Sequence, residues 1–245
     1  MLYFVIDDQQ KLTKPGVASG QETLFCPFCG LPVISFLDVK SNVTHAYHKG
    51  KTGCAPTAID HFSYLFYKKF PSACLLPIPS DEHMVSSVHS EFPEHPGRYY
   101  SLPEQVVAFA STKVAVSSEN LKQIHYETKS VQVFVFINNP INIIFIFNFN
   151  SEKINKFCIP EEIFYNSSVI EYRLPENIQP QNCDPSANID QLISVLEPSW
   201  VRNEKLMREI QKINAERKLE VQKIAQTQSK NLLVLEREGI ISIRR

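Results

Sequence analysis

The stretch of this 245-residue chain whose residue types most plainly do chemistry is Cys26-Pro-Phe-Cys29-Gly30. Thiols at this spacing reach one tetrahedral zinc from a tight knuckle, and Pro27 and Gly30 suit the turn between them. Two further ligands must then come from downstream, where His45, His48, Cys54 and His61 follow. These are soft or borderline donors that suit zinc, whereas calcium and magnesium want oxygen. A redox pair has the same spacing, but it expects a strand–helix setting with no histidine cluster nearby. The dense run of donors favours a closed structural zinc site, in which four protein ligands leave no position for a catalytic water.

Taken in order, Tyr3 to Asp7, Cys26-Pro-Phe-Cys29, Pro32 to Phe36, His45-Ala-Tyr-His48 and Lys49-Gly-Lys-Thr-Gly-Cys54 resemble the N-terminal region of the CoiA-like competence proteins. In that family a strand and polar turn precede CPxC, an apolar strand, an HFAH-type motif, a cysteine, and a helix with Glu-Ser-x-x-His-x-x-x-Lys. The resemblance spans about the first 70 residues and rests on an ordered set of motifs. It implies that Cys26, Cys29, one of His45 or His48, and Cys54 hold the metal. In the register set by Cys54 the family's glutamate falls on Asp60, its histidine on Tyr64 and its lysine on Lys68. These three share one helix face. Outside the family's chemistry, Asp60 reads as a helix cap and Lys68 as a solvated charge.

The elements that must position these groups belong to an ordinary globular chain, 43% apolar and close to neutral. The opening MLYFVIDDQQ lacks the basic start and long apolar core of a signal peptide, and no apolar run is long enough for a membrane helix. The expectation is a cytoplasmic protein without membrane contact. Cys74, Cys158 and Cys183 stand singly, as free thiols in a reducing compartment would. Charge is segregated: residues 1–70 carry 7 basic and 5 acidic side chains, 71–198 carry 7 and 15, and 199–245 carry 11 and 6. A strongly acidic middle is a poor surface for a phosphate backbone, so nucleic-acid contact would fall to the two ends.

Residues 71–100 are rich in proline, show no sustained period, and read as a linker or irregular connection. His83, His89 and His95 recur there at a spacing that fits no ordinary ligand pattern and read as exposed loop histidines. Leu102 to Ala110 is expected to be a short helix with Ser101 as its cap. The strongest β signal is Val131 to Ile137 and Ile141 to Phe147, joined at Asn138-Asn139-Pro140 as a hairpin. Lacking alternation, the hairpin must be buried on both faces, covered by 159–174 and the 102–110 helix.

The CoiA-like resemblance implies that a strand pair in this place forms the core of a restriction-endonuclease-type nuclease carrying an Asp and then Glu-x-Gln or Glu-x-Lys. Neither strand here carries an acid, and Gln132 and Asn148 are the closest polar substitutes. Divalent-metal phosphodiester cleavage needs clustered carboxylates, which amides replace poorly. Glu127-Thr128-Lys129 just before the first strand supplies a literal Glu-x-Lys and, with Asp60 and Lys68, a partial catalytic set.

From Ser199 to Glu238 the chain has no Pro or Gly and is rich in Glu, Lys, Arg, Gln and Leu, which predicts a long helix. Leu206, Ile210, Ile213, Arg217, Val221 and Ile224 give it one narrow stripe on a basic surface, suited to packing on its own domain, self-association, partner docking or nucleic acid. Gly239 ends it, with a short strand over Ile240 to Ile243.

The fold class is therefore α+β: a β-rich zinc module over 1–70, a connection over 71–100, a mixed nuclease-like domain over 101–198 and a long basic helix with its tail over 199–245. Two functions follow. One is a non-catalytic, zinc-containing bacterial binding protein docking DNA or a protein partner. The other is a Mg²⁺-dependent nuclease with a rearranged site built on Asp60, Lys68, Glu127 and Lys129.

Overall fold

The computed structural model describes residues 1–16, 23–38, 43–50, 53–70, 73–124, 131–136, 141–149, 161–178 and 180–239. The chain is α+β and divides into two compact units, Met1–Ile78 with Lys113–Arg202, and Pro79–Thr112 with Asn203–Arg245. Among the described residues no helix is long and apolar enough to cross a membrane.

The first unit begins with β1 (Val5–Ile6), β2 (Leu12–Thr13), β3 (Leu24–Phe25), β4 (Pro32–Asp38) and β5 (Val43–His48), ordered β2-β1-β3-β4-β5 with antiparallel neighbours. Leu2 pairs with Ala46 on the open side of β5, through backbone bonds of 2.8 and 3.1 Å. The start of the chain thus covers the sheet's exposed edge. Leu2, Val5, Leu24, Cys26, Val33 and Ala46 form the small core.

Helix α1 (Ala58–Lys69) follows the candidate ligands and starts at a capping box. Asp60 N–H donates to Thr57 Oγ1 (3.2 Å) while Thr57 N–H donates to Asp60 Oδ2 (2.7 Å), satisfying two helix-end donors. Later come β6 (Cys74–Ile78), β7 (Asp81–Val85), β8 (Val88–Phe92), β9 (His95–Leu102), β10 (Gln105–Phe109) and β11 (Thr112–Val116). Next are β12 (Leu121–Ile124), β13 (Val131–Phe136), β14 (Asn142–Asn148), α2 (Glu161–Tyr165) and β15 (Ser167–Arg173). A 3₁₀ turn at Pro180–Cys183, α3 (Ile189–Ile193), β16 (Glu197–Arg202) and α4 (Glu204–Arg237) complete the order.

The two predicted strands pair: β13 and β14 run antiparallel, from Val131 opposite Asn148 to Phe136 opposite Ile143, while the expected turn Asn138-Asn139-Pro140 lies outside the described residues. They sit inside a sheet ordered β12-β13-β14-β15-β16, in which β14 and β15 run parallel. The expected cover is corrected. The 159–174 stretch does not lie over the hairpin as a whole, because Ser167–Arg173 joins the sheet as β15. Its β-branched and aromatic residues find a better partner in the open edge of β14. One sheet face packs Phe145, Phe147, Phe149, Ile170 and Tyr172 against Phe62, Leu65 and Phe66 of α1. The other packs Val133, Val135, Ile144, Ile146 and Val169 against Phe164 of α2.

The proline-rich stretch is also different from its expectation. Residues 74–102 hold four strands, with β6 paired to β11, β7 to β10 and β8 to β9 in two-stranded ribbons. These strands of five to eight residues mix exposed and part-buried positions and carry or adjoin prolines, which leaves little periodicity to read, and Pro77 is tolerated in a narrow ribbon. The helix expected over 102–110 is instead β10, paired with β7 from Gln105–Val85 to Phe109–Asp81. The β-branched Val106 and Val107 and an available partner strand outweigh the capping signal at Ser101.

In the second unit α4 spans 34 residues from an Asn203 cap, whose side chain accepts from Leu206 N–H at 3.1 Å. Ser199–Arg202, expected as helix, is the end of β16, where Trp200 pairs with Ile170. Leu206 and Ile210 of the predicted stripe pack on Val85 and Val107. Arg217 in the same stripe donates to Gln105 Oε1 (3.0 Å) and the Pro103 carbonyl. Gly239, at φ 71, follows the helix end; Ile240 to Ile243, read as a strand, lie outside the described residues.

Candidate metal centre

Strands β3 and β4 form a hairpin, Leu24 opposite Val33 and Phe25 opposite Pro32, whose turn is the Cys26–Cys29 knuckle. Gly30 takes φ 72, open to it without a Cβ penalty. Its N–H donates to the Cys26 carbonyl, and Cys26 N–H donates to the Leu31 carbonyl, both at 2.9 Å. Phe28 N–H points at Cys26 Sγ, 3.4 Å away. A backbone donor on a sulfur fixes the direction in which it points.

The fourth face is closed by the end of β5 and the chain after it. His48 Nε2 lies 3.2 Å from Cys29 Sγ and 3.8 Å from Cys54 Sγ, and Cys26 Sγ lies 3.5 Å from Cys54 Sγ. All four donor atoms fall within 4.8 Å of one another. Sulfurs bound about 2.3 Å from one tetrahedral ion stand about 3.8 Å apart. The Cys26, Cys29, His48 and Cys54 group could hold a metal ion. Burial and the neighbouring sulfurs push the Cys54 thiol up to about 12. At Cys29 burial acts upward too, but bonds from the Leu31 and Cys54 backbone and the Cys54 and Cys26 side chains bring it to about 6. Three thiols so close lose all their protons only around a cation.

Strand geometry separates the two candidate histidines. Residues three apart on a strand point to opposite faces, so His45 and His48 cannot converge on one ion. His48 joins the thiols. His45 is turned away and stays outside the group, 6% exposed, with its ring 6.0 Å from Tyr3 and 5.8 Å from Phe36. His61 is also outside it, fully buried on α1 among Tyr3, Phe4 and Phe28. Its Nδ1–H donates to the Thr57 carbonyl (2.7 Å) and its Nε2 accepts from Tyr3 N–H (3.3 Å). Burial pushes its pKa down to about 4, against the opposing Thr57 bond.

Sequence reading missed Gly53. A Cβ there would clash with the Cγ, Cδ2 and Nδ1 atoms of the His48 ring, so the glycine is what lets the chain pass over this imidazole. Two glycines flanking Lys51-Thr52 just before Cys54 are the signal.

Of the proposed catalytic set, Asp60 and Lys68 are among the described residues. Asp60 is committed to the cap of α1, and Lys68 is exposed with its ammonium 5.9 Å over the Tyr64 ring. Glu127 and Lys129 lie outside the described residues. Between α1 and the sheet stand rings: Phe66 contacts Phe70, Phe147 and Phe149 at 5.2, 4.7 and 5.3 Å. Asn148 faces the other way, donating to Glu171 Oε1 at 2.7 Å, and Arg173 bonds Glu171 Oε2 at 2.7 Å. Glu171, 3% exposed, is a buried carboxylate that the hairpin-centred reading overlooked; its charge is met within the sheet. His83 and His89 are exposed as expected, though on strands, whereas His95 is buried.

Compared with family models, curated proteins and solved structures, the chain matches none.

Proposed function

We propose that this is a non-catalytic, zinc-containing binding protein of the CoiA-like kind, whose metal holds a small module that docks nucleic acid or a protein partner. The observation that carries the reading is the closed donor set: three sulfurs and one imidazole within 4.8 Å of one another. Three thiolates and a neutral imidazole suit zinc over oxygen-seeking cations. Four protein donors leave no open position for substrate.

Two further features support it. Among the described residues, α1 packs Phe62, Leu65 and Phe66 against Phe145, Phe147 and Phe149 of the sheet. An apolar face of the module is open: Ile34, Phe36 and Tyr47 are exposed on one side of the sheet, where Ile34 pairs with Tyr47. Phe36 and Tyr47 stand 5.4 Å apart beside a recess of about 490 Å³ that Met1 and Ala46 also line. Exposed aromatics on a sheet are suited to stacking on bases or packing on a protein surface.

The test is zinc content, cleavage of labelled single- and double-stranded DNA with Mg²⁺ or Mn²⁺, and DNA binding on the same preparation. Stoichiometric zinc without cleavage, and DNA binding weakened in Phe36→Ala and Tyr47→Ala, is the expected result. Zinc without cleavage or DNA binding points the docking face at a protein. Cleavage lost in Asp60→Ala and Glu127→Ala would overturn the reading in favour of a nuclease.

A further inference from the structure

The four donors are not equally sheltered. Cys26 is buried in the small core with Leu2, Val5, Leu24, Val33 and Ala46, and Cys54 and His48 are half-buried. Cys29 is exposed, and the residues after it, Gly30 and Leu31, are exposed as well. An exposed sulfur on a closed metal site is the one a solvent-borne oxidant meets first, and both other thiols are within 4.8 Å of it. Metal-bound sulfur keeps thiolate nucleophilicity, which is what oxidation requires.

We propose that Cys29 is an oxidation site for hydroperoxides, through which the metal is released and the N-terminal module opened. The proposal rests on the metal reading above. The Cys29 thiolate attacks the terminal peroxide oxygen; the O–O bond breaks, and the departing alkoxide or hydroxide takes a proton from solvent. Cys29 becomes a sulfenic acid, having lost two electrons. Cys54 or Cys26 thiolate then attacks the Cys29 sulfur; the S–S bond forms, the S–O bond breaks, and the hydroxide leaves with a second proton as water. Two thiolates, one hydroperoxide and two protons thus give one disulfide, one alcohol or water, and one water. The cation keeps only one thiolate and His48, and is released.

The consequence is structural because Cys26 belongs to the apolar core as well as to the metal group. Selectivity has a physical basis too. Cys74 and Cys183 are buried, and burial pushes their thiols up to about 11 and about 12, with Asp190 adding to the effect at Cys74. Such thiols stay protonated and out of reach.

The experiment uses the full zinc-loaded chain, with metal content measured first. Substoichiometric hydrogen peroxide is added, released zinc is followed with a chromogenic chelator, sulfenic acid is trapped with dimedone, and every cysteine is mapped by peptide mass. Zinc release matching peroxide consumed, first dimedone adduct on Cys29, a disulfide involving Cys29, and recovery with thiol reductant and zinc are expected. A Cys29→His chain that retains zinc should release it more slowly at the same peroxide dose. First modification at another cysteine, or equal release from zinc-loaded Cys29→His, overturns the proposal while leaving the metal reading intact. Absence of zinc before oxidation sinks both.

Discussion

The N-terminal sheet encloses six small or medium side chains, from Leu2 to Ala46, while the β12–β16 sheet shares a cluster with α1 that includes Phe62, Phe66, Phe145, Phe147, Phe149 and Tyr172, all essentially inaccessible. Aromatic residues each bury a large apolar area, so the second sheet can be held by packing alone. The first has three two-residue strands and too little apolar surface to offset its ordering entropy. Four convergent donors sit where that deficit is greatest. On the proposed metal reading, neighbouring sheets of one unit use different means of cohesion and should fail under different insults.

On the proposed zinc reading, the largest separation is expected on removing the metal from Cys26, Cys29, His48 and Cys54, because structural zinc contributes on the order of 10 kcal/mol to a small module. Chelation, or Cys26→Ser, should abolish amide-exchange protection in β3–β5 while β13–β15 stay protected. Equal loss in both sheets would mean that they are a single cooperative unit.

Phe66→Ala probes the other side. Truncating a fully buried Phe costs about 3–5 kcal/mol, and the Phe66 ring contacts those of Phe62, Tyr67, Phe70, Phe147 and Phe149. A lowered denaturation midpoint with unchanged zinc content is expected; zinc loss at the same denaturant concentration would erase the distinction.

His61 links the regions, and acid should expose the link. Its folded pKa of about 4 lies below the ordinary 6.5. The unfolded chain therefore takes up the proton first as pH falls. The associated stability, about 3 kcal/mol at this displacement, is present in full above pH 6.5 and lost between there and 4. Urea midpoints of wild type minus His61→Phe should fall across that window; a flat difference would show that the buried imidazole is not responsible.

The smallest effect is the most local. Gly53→Ala must displace the His48 ring, and misplacing a ligand or its support weakens metal binding roughly 10–100-fold. Competition with a chromogenic chelator reads this directly, with the β13–β15 core untouched. Wild-type affinity in Gly53→Ala would mean that the loop before Cys54 yields freely.

Much of this comparison was legible in the chain. The Cys-Pro-Phe-Cys-Gly knuckle, Cys54 as a later thiol, the β13–β14 pair buried on both faces, Asp60 at the start of α1, where Thr57 rather than Asp60 is the cap, and the long C-terminal helix each rest on a local pattern: ligand spacing, β-branched runs, a capping motif, a stretch without Pro or Gly. The ribbons over 74–102 and β10 were not legible, because exposed strands of about five residues acquire their identity from partners distant in sequence. Glu171 was missed for the same reason: nothing local announces that Asn148 and Arg173 will meet its carboxylate.

Sequence by itself determined the donor types, and so the chemistry of the centre, because thiol and imidazole keep their metal preferences wherever the chain carries them. Which histidine joins the thiols was a tertiary decision. On a helix His45 and His48 would have shared a face; on β5 they point apart, and only His48 lies on the side to which the knuckle and Cys54 return.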